Sequence, residues 1–298
     1  MNDRSATIVT HSGNFHPDDI FAVAVLRRLY AGGANVLRSR ELSVIASADF
    51  AVDVGSEYDP ARRRFDHHQE GGAGVRANGI PYASFGLVWK AFGSELCGGD
   101  GGVAREIEER LVLPIDAHDN GITLVELTHL GVYPYLFQDI VQAFRPTWKE
   151  DPHGRDKTFF RLVDLAGEIL EREIIHAASR SEGERFVREA YERAEDKRSI
   201  VLTADYPWEE FLSSRLEPLF VVSPERGTEN WQVNAVRTAP NSFESRQLFP
   251  VTWAGKRDHE LALASGVPDA LFCHNKRFFA VARSREGALA LVVAALRG

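Results

Sequence analysis

Three metal-ligand side chains in a row, Asp66-His67-His68, constrain this chain more than any other stretch. They do not stand alone. Thr10-His11-Ser12-Gly13-Asn14-Phe15-His16-Pro17-Asp18-Asp19 lies upstream, Val52-Asp53-Val54-Gly55 sits between, and Asp116-Ala117-His118-Asp119-Asn120-Gly121 follows. All fall within the first 121 residues. A single His or Asp at any of these places is more simply a helix cap or a hydrogen-bonded core group, and for His118 that plain reading is preferred. Four clusters at strand and helix ends point instead to one pocket for divalent cations.

The segments around the clusters support that reading. Ala6 to Thr10 is short, apolar and β-branched, which predicts a buried strand ended by His11. Ser12-Gly13-Asn14 is turn chemistry, and Pro17-Asp18-Asp19 opens a helix that runs to Tyr30 and is stopped by Ala31-Gly32-Gly33. Asp19 reads as a helix-start acid. The polar groups then lie at the C-terminal end of a strand, where open α/β sheets bind ligands. Leu42-Ser43-Val44-Ile45 and Asp49 to Val54 predict two more strands. Asp53 interrupts an apolar run, so its carboxylate must be paired, protonated or metal-bound. Gly71-Gly72-Ala73-Gly74 reads as a surface loop.

Helices are predicted over Ser84 to Phe92, Gly102 to Ile115, Leu136 to Phe144 and Thr158 to about Ala194. The last carries an apolar stripe of Phe159, Leu162, Val163, Ala166, Ile169, Leu170 and Ile174. From Arg198 the texture changes to short strands, closing with a helix over Glu286 to Leu296. The fold class is α/β. A parallel-sheet catalytic domain is expected over residues 1–150, a helical connector over 151–198, and a smaller α/β substrate-binding domain over 199–298.

Composition matters at three points. A net charge of −8 argues against a protein that coats polyanions with a basic face. It leaves phosphate substrates open, because bound cations set the local field. Cys97 and Cys273 form no CxxC site and read as buried small apolar residues of a reducing compartment. There is no apolar run of membrane-span length and no secretory signal at the start, so a cytoplasmic location is expected.

His11, His16 and Asp18 come from one loop and suit a single borderline cation such as Mn²⁺ or Zn²⁺. Asp53 has two oxygens with which to bridge two ions. His67 or His68, with Asp119 or Asp116, would complete the second. Two ions roughly 3.5–4 Å apart hold a phosphoryl group, generate hydroxide and stabilise a leaving oxygen. No P-loop and no GxGxxG after the first strand competes with this.

The Asp66-His67-His68 triplet beside the other clusters resembles the DHH phosphoesterase superfamily, which includes exonucleases, oligoribonucleases and family II inorganic pyrophosphatases. The longer motifs look like the melanocyte-proliferating-gene (Myg) family. They are the stretch from Thr10 to Asp19, Val52-Asp53-Val54-Gly55-Ser56-Glu57-Tyr58-Asp59-Pro60, Phe65-Asp66-His67-His68-Gln69, Asp116 to Ile122, Trp231-Gln232-Val233, Asn241-Ser242-Phe243-Glu244-Ser245-Arg246 and Arg283 to Leu289. The resemblance implies a two-domain DHH-type fold, dependence on two Mn²⁺ or Mg²⁺ ions, and 3′-to-5′ exonuclease activity on RNA or short oligonucleotides. By position it implies that His11 and His16 hold the first metal, Asp18 and His67 the second, and that Asp53 bridges. Asp66 and His68 would orient His67 or touch phosphate. Asp119 is preferred as the last ligand, with Asp116 as the alternative. A Gly-Gly-His substrate loop found in many DHH enzymes is missing. Phe278-Phe279-Ala280-Val281-Ala282-Arg283 stands there, and His274, Arg283 and Arg285 are the candidate substrate contacts.

The expected function is therefore a two-metal phosphodiesterase, with Asp53, His67 and His68 at the chemistry. One rival is a hydrolase of a small phosphate substrate, such as pyrophosphate, a nucleotide monoester or a dinucleotide. The other is a nucleic-acid-binding protein without catalysis. RNA or an oligonucleotide is the expected partner, no membrane is, and a homo-oligomer stays open.

Overall fold

The computed structural model describes residues 5–30 and 33–297. Residues 1–4 and the Ala31-Gly32 part of the expected helix stop lie outside the described residues. The chain forms two compact units, Met1–Ala177 and Ala178–Gly298. Each carries one five-stranded sheet, and the fold is mixed α/β.

The sheet of the first unit has strands β1 (Ala6–Thr10), β2 (Ala34–Arg38), β3 (Phe50–Val52), β4 (Tyr58–Asp59) and β5 (Arg64–Phe65), in the order β2-β1-β3-β5-β4. All neighbours are parallel except β4 and β5. Helices α1 (Pro17–Leu29), α2 (Leu42–Ser47), α3 (Ser84–Leu96), α4 (Gly101–Ile107), α5 (Leu113–Asp119) and α6 (Phe137–Ala143) complete it, with the start of α7 (Arg155–Arg193). Helix α1 is buried on all sides from Ile20 to Leu26, as its uninterrupted apolar run requires. Phe21 stacks on Phe85 of α3 at 5.2 Å and meets Phe137 of α6 at 5.0 Å, so three helices lock around one ring.

Two expectations are corrected. Leu42 to Ile45 is not a strand but belongs to helix α2, with Leu42 exposed and Ile45 turned inward. A short β-branched apolar run does not distinguish strand from buried helix by periodicity. The strand in that region is β2, whose exposure alternates along an edge of the sheet. The expected helix from Gly102 runs on to Asp119 through a π-helical turn at Glu108–Val112. The widened turn accommodates Pro114, which has no N–H to give to the preceding turn.

The second unit contains β6 (Ser199–Val201), α8 (Glu209–Ser213), β7 (Phe220–Pro224), β8 (Trp231–Ala235), α9 (Asp258–Ser265), β9 (Ala270–Cys273), β10 (Phe279–Ala282) and α10 (Arg285–Arg297). Its strand order is β6-β7-β8-β10-β9, parallel between β6 and β7 and antiparallel elsewhere. Phe220, Phe249 and Trp253 stack in its core. Among the described residues no helix is long and apolar enough to cross a membrane. Cys273 is buried and Cys97 only half-buried; burial pushes both thiols up to about 11.

The same device fixes one helix start in each unit. Asp116 accepts from the Gly86 N–H in the first turn of α3 at 3.0 Å, and Asp269 accepts from the Ser284 N–H beside α10 at 3.2 Å. The carboxylates lie where a helix N-terminus favours negative charge. Both need a glycine beneath them. A Cβ on Gly86 would stand 1.8 Å from an Asp116 oxygen, and one on Gly287 would stand 2.1 Å from an Asp269 oxygen. Gly86→Ala is therefore expected to destabilise the protein by about 1–3 kcal/mol, the usual cost of overpacking a closed site. Urea denaturation reads this as a lowered midpoint, and an unmoved midpoint contradicts the packing described.

Candidate metal centre

Parallel neighbours β1, β3 and β5 each deliver a ligand-type side chain just past their C-terminal ends. Val9 pairs with Ala51 and Ala51 with Arg64, so two residues further on His11, Asp53 and Asp66 share a level. Adjacent strands lie about 4.8 Å apart, so side chains that leave neighbouring strands at one level can converge on a common point. The backbone turns sharply there. Asp53 itself takes a left-handed conformation (φ 55°), uncommon outside glycine but tolerated by Asp, and this ends the strand at the carboxylate. Helix α1 supplies Asp18 from its first turn, and the His16 N–H donates to Asp19 at 2.8 Å to start that helix. Asp119 comes from the end of α5.

Among the described residues three overlapping groups result, each with ligand atoms within 4.8 Å of one another: His11, His16 and Asp53; Asp53, His67 and His68; His16, Asp18 and Asp119. Asp53 belongs to two of them and so does His16. His11 Nε2 lies 3.2 Å from Asp53 Oδ2 and 3.2 Å from Asp19 Oδ2. His67 Nε2 lies 3.1 Å from Asp119 Oδ2, 3.5 Å from Asp53 Oδ1 and 3.9 Å from Asp18 Oδ2. Despite the short distances, His67 Nε2 makes no well-aligned hydrogen bond. The two oxygens of Asp18, fully buried, have no hydrogen-bond partner among the described residues. Leaving a carboxylate this way costs several kcal/mol in a dry interior, and a cation removes the cost. The donor set of imidazole and carboxylate suits divalent first-row metals. The residues therefore fit a metal ion.

The remaining residues divide plainly. Asp66 props His68: its Oδ1 lies 2.8 Å from His68 Nδ1 and accepts the His68 N–H at 3.1 Å, while its Oδ2 accepts the Ser56 N–H at 2.6 Å. Ser84 Oγ donates to Asp53 Oδ1 at 3.1 Å, a contact not foreseen from sequence because nothing marks that serine. Asp116 joins none of the three groups. Its Oδ2 receives Arg76 Nη2 at 2.7 Å and its Oδ1 the Gly86 N–H, which leaves Asp119 as the acid facing the cluster. His118 is exposed. His274, Arg283 and Arg285 belong to the second unit. His274 Nδ1 accepts the Lys276 N–H at 3.1 Å; Arg283 and Arg285 are exposed, with the Arg285 guanidinium 5.9 Å from the Trp231 ring.

A family model described as "Uncharacterised protein family (UPF0160)" matches residues 7–296. The chain is similar to the human protein named MYG1 exonuclease, with 33% identity over 97% of this chain and 85% of that protein. It is similar to the mouse protein of the same name, also at 33%, covering 97% and 84%. Against the fission-yeast MYG1 protein C694.04c the identity is 31%, covering 97% of both. No solved structure matches the chain.

The cluster's charges are strongly coupled. Burial pulls His11 down, but Asp19 and Asp53 outweigh it and hold it at about 10. Burial likewise opposes His67, and Asp119 and Asp53 lift it to about 9. Asp53, with Asp66, raises His68 to about 10. Burial disfavours charge on Asp53, yet His11, His67 and His68 keep it well below the usual carboxylate range. Burial and the neighbouring carboxylates drive Asp18 well above it. His16 is lowered by burial. The sign follows. A histidine raised in the folded state contributes stability that is complete below about 6.5 and lost as pH climbs towards its folded value. For His11 and His67 that window runs from 6.5 to about 10 and about 9. The metal-free protein should therefore melt at lower temperature as pH rises from about 6.5 to 8.5. Metal must displace these protons, so Mn²⁺ affinity should rise over the same range with proton release on binding. Scanning calorimetry with chelator, and titration calorimetry in two buffers, check both; a flat profile in each contradicts the coupling described.

Proposed function

The chain belongs to the uncharacterised protein family UPF0160, and we propose that it is a two-metal phosphodiesterase of DHH type. In this reading it acts as a 3′-to-5′ exonuclease on RNA or short oligonucleotides and depends on Mn²⁺ or Mg²⁺. One observation carries the proposal: Asp53 is shared by two ligand groups, beside buried Asp18 oxygens that have no hydrogen-bond partner among the described residues. The exonuclease names of the human and mouse relatives support the reaction class.

In this assignment His11 and His16 would hold the first ion, Asp18, His67 and Asp119 would hold the second, and Asp53 would serve both. Divalent cations bound there would supply positive charge to grip a phosphoryl group and would lower the pKa of water. The chain's own residues do the rest. Asp53, kept ionised by the histidines around it and steadied by Ser84, fixes the spacing of the two groups. Asp66 and Asp53 both face His68 Nδ1, which leaves Nε2 free on a half-exposed ring. Asp66 holds the ring through Nδ1, so His68 serves as a positioned donor, giving a hydrogen bond from Nε2 to a phosphoryl oxygen as negative charge develops. Within the second unit, His274, Arg283 and Arg285 are the proposed substrate contacts.

Asp53→Ala and His67→Ala are expected to lower Mn²⁺-dependent degradation of a 5′-labelled oligoribonucleotide by roughly 100-fold or more, since even residues behind the metal ligands are worth 10- to 100-fold. The wild-type ladder should shorten from the 3′ end. Undiminished turnover in both variants sinks the proposal. Hydrolysis of pyrophosphate or a nucleoside monophosphate, with RNA left intact, redirects it to a small phosphate substrate.

A further inference from the structure

Two cavities open beside the ligand cluster, both lined by His16 and His68. The smaller, about 210 Å³, carries Arg40 beside His11 and Asp53. The larger, about 310 Å³, is walled by Asp119 and His118 and by three long polar side chains, Gln138, Gln142 and Arg145. Gln138 and Gln142 sit four residues apart on α6, on one face of that helix. Neither side-chain amide has a hydrogen bond among the described residues. Arg145 is anchored by one side of its fork only. Its Nε donates to the Phe15 carbonyl at 3.0 Å, and its Nη2 donates to the same oxygen, which leaves Nη1 without a protein partner. Phe15 lies in the loop that carries His11 and His16, so the guanidinium is held in register with the ligand cluster.

We propose that the larger cavity seats the terminal nucleotide of the substrate, with Arg145 on a phosphate oxygen and the two glutamine amides on the polar edge of the base or the sugar hydroxyls. The inference rests on the phosphoesterase reading. Size and chemistry both favour it. At about 310 Å³ the cavity is at the lower end of small-ligand sites, which run from roughly 300 to 1,000 Å³, so it takes one nucleotide and not a base pair. The smaller cavity falls below that range and suits a phosphoryl group or a stretch of backbone. A planar guanidinium with an open N–H matches phosphate, and each amide offers both a donor and an acceptor.

The test measures binding of a nucleoside 5′-monophosphate and of Mn²⁺ by titration calorimetry on the Mn²⁺-loaded and metal-free protein, alongside KM and kcat on a short oligoribonucleotide. Arg145→Ala should weaken the monophosphate and raise KM by about 10- to 100-fold, the range of a hydrogen bond to a charged group. It should leave Mn²⁺ affinity unchanged. Gln138→Ala/Gln142→Ala should weaken the monophosphate but not inorganic phosphate. Gln142 is exposed, so this part survives if the arginine variant folds poorly. Wild-type monophosphate binding in both variants overturns the proposal. So does a loss of Mn²⁺ affinity in Arg145→Ala that matches its loss of monophosphate, because the arginine would then only brace the loop. A protein that binds monophosphates through these residues yet leaves RNA intact keeps this site and loses the exonuclease reading.

Discussion

Three parallel strands that end at one level set the rest of the first unit. Once β1, β3 and β5 lie side by side in register, the residues that follow them must share a small volume, whatever their chemistry. Here those residues are histidines and aspartates. The sheet is what makes such a gathering possible, because its hydrogen bonds continue to the edge of the cluster: the Asp53 N–H still donates to the Phe65 carbonyl at 3.1 Å. The helices serve that edge. Helix α1 must be apolar all round to lie buried beneath it, and its N-terminus must point at the cluster to bring Asp18 there.

The arrangement has an electrostatic imbalance built in. Asp18, Asp19, Asp53 and Asp119 come within reach of one another, with histidines in direct contact as counter-charge and Arg40 and Arg145 only at the walls of the adjoining cavities. Without metal the imbalance is met by protons, which is why His11, His67 and His68 favour their protonated forms and Asp18 resists ionisation. Divalent cations meet it with fewer constraints, since a carboxylate has lone pairs for an ion where it has no proton donor. The helix N-termini add to the same end. The first turn of α1 carries Asp18 and Asp19, and Ser84 at the start of α3 reaches Asp53. A phosphate substrate with an overall acidic protein is then no contradiction, because the charge that matters is local.

How much of this was legible in the sequence follows from the range of the interactions. His11, His16, Asp18 and Asp53 stood out because each flanks a strand or helix whose apolar pattern is readable within a few residues, and His67 because it lies in a run of three ligand-type side chains. Asp116 and Asp119 could not be separated that way. What separates them is Arg76, forty positions upstream in the chain, whose guanidinium takes an Asp116 oxygen at 2.7 Å. The two-residue strands β4 and β5 lie below any periodicity signal, and Leu42 to Ile45 misleads because its composition suits a strand while its neighbours make it a helix. Arg145 and the α6 glutamines carry no motif. Their place beside His16 and Asp119 is a product of packing alone.

The ring of Gly86, Asp116 and Arg76 has a consequence for how such a protein can vary over time. The glycine exists to leave room for a carboxylate, the carboxylate to receive a guanidinium and an N–H, and the guanidinium to neutralise the carboxylate. Exchange any one member and its fellows are left crowded or uncompensated in a buried place. Drift at these positions is therefore confined to concerted replacement, and a chain that has lost one of them should carry a compensating change at another.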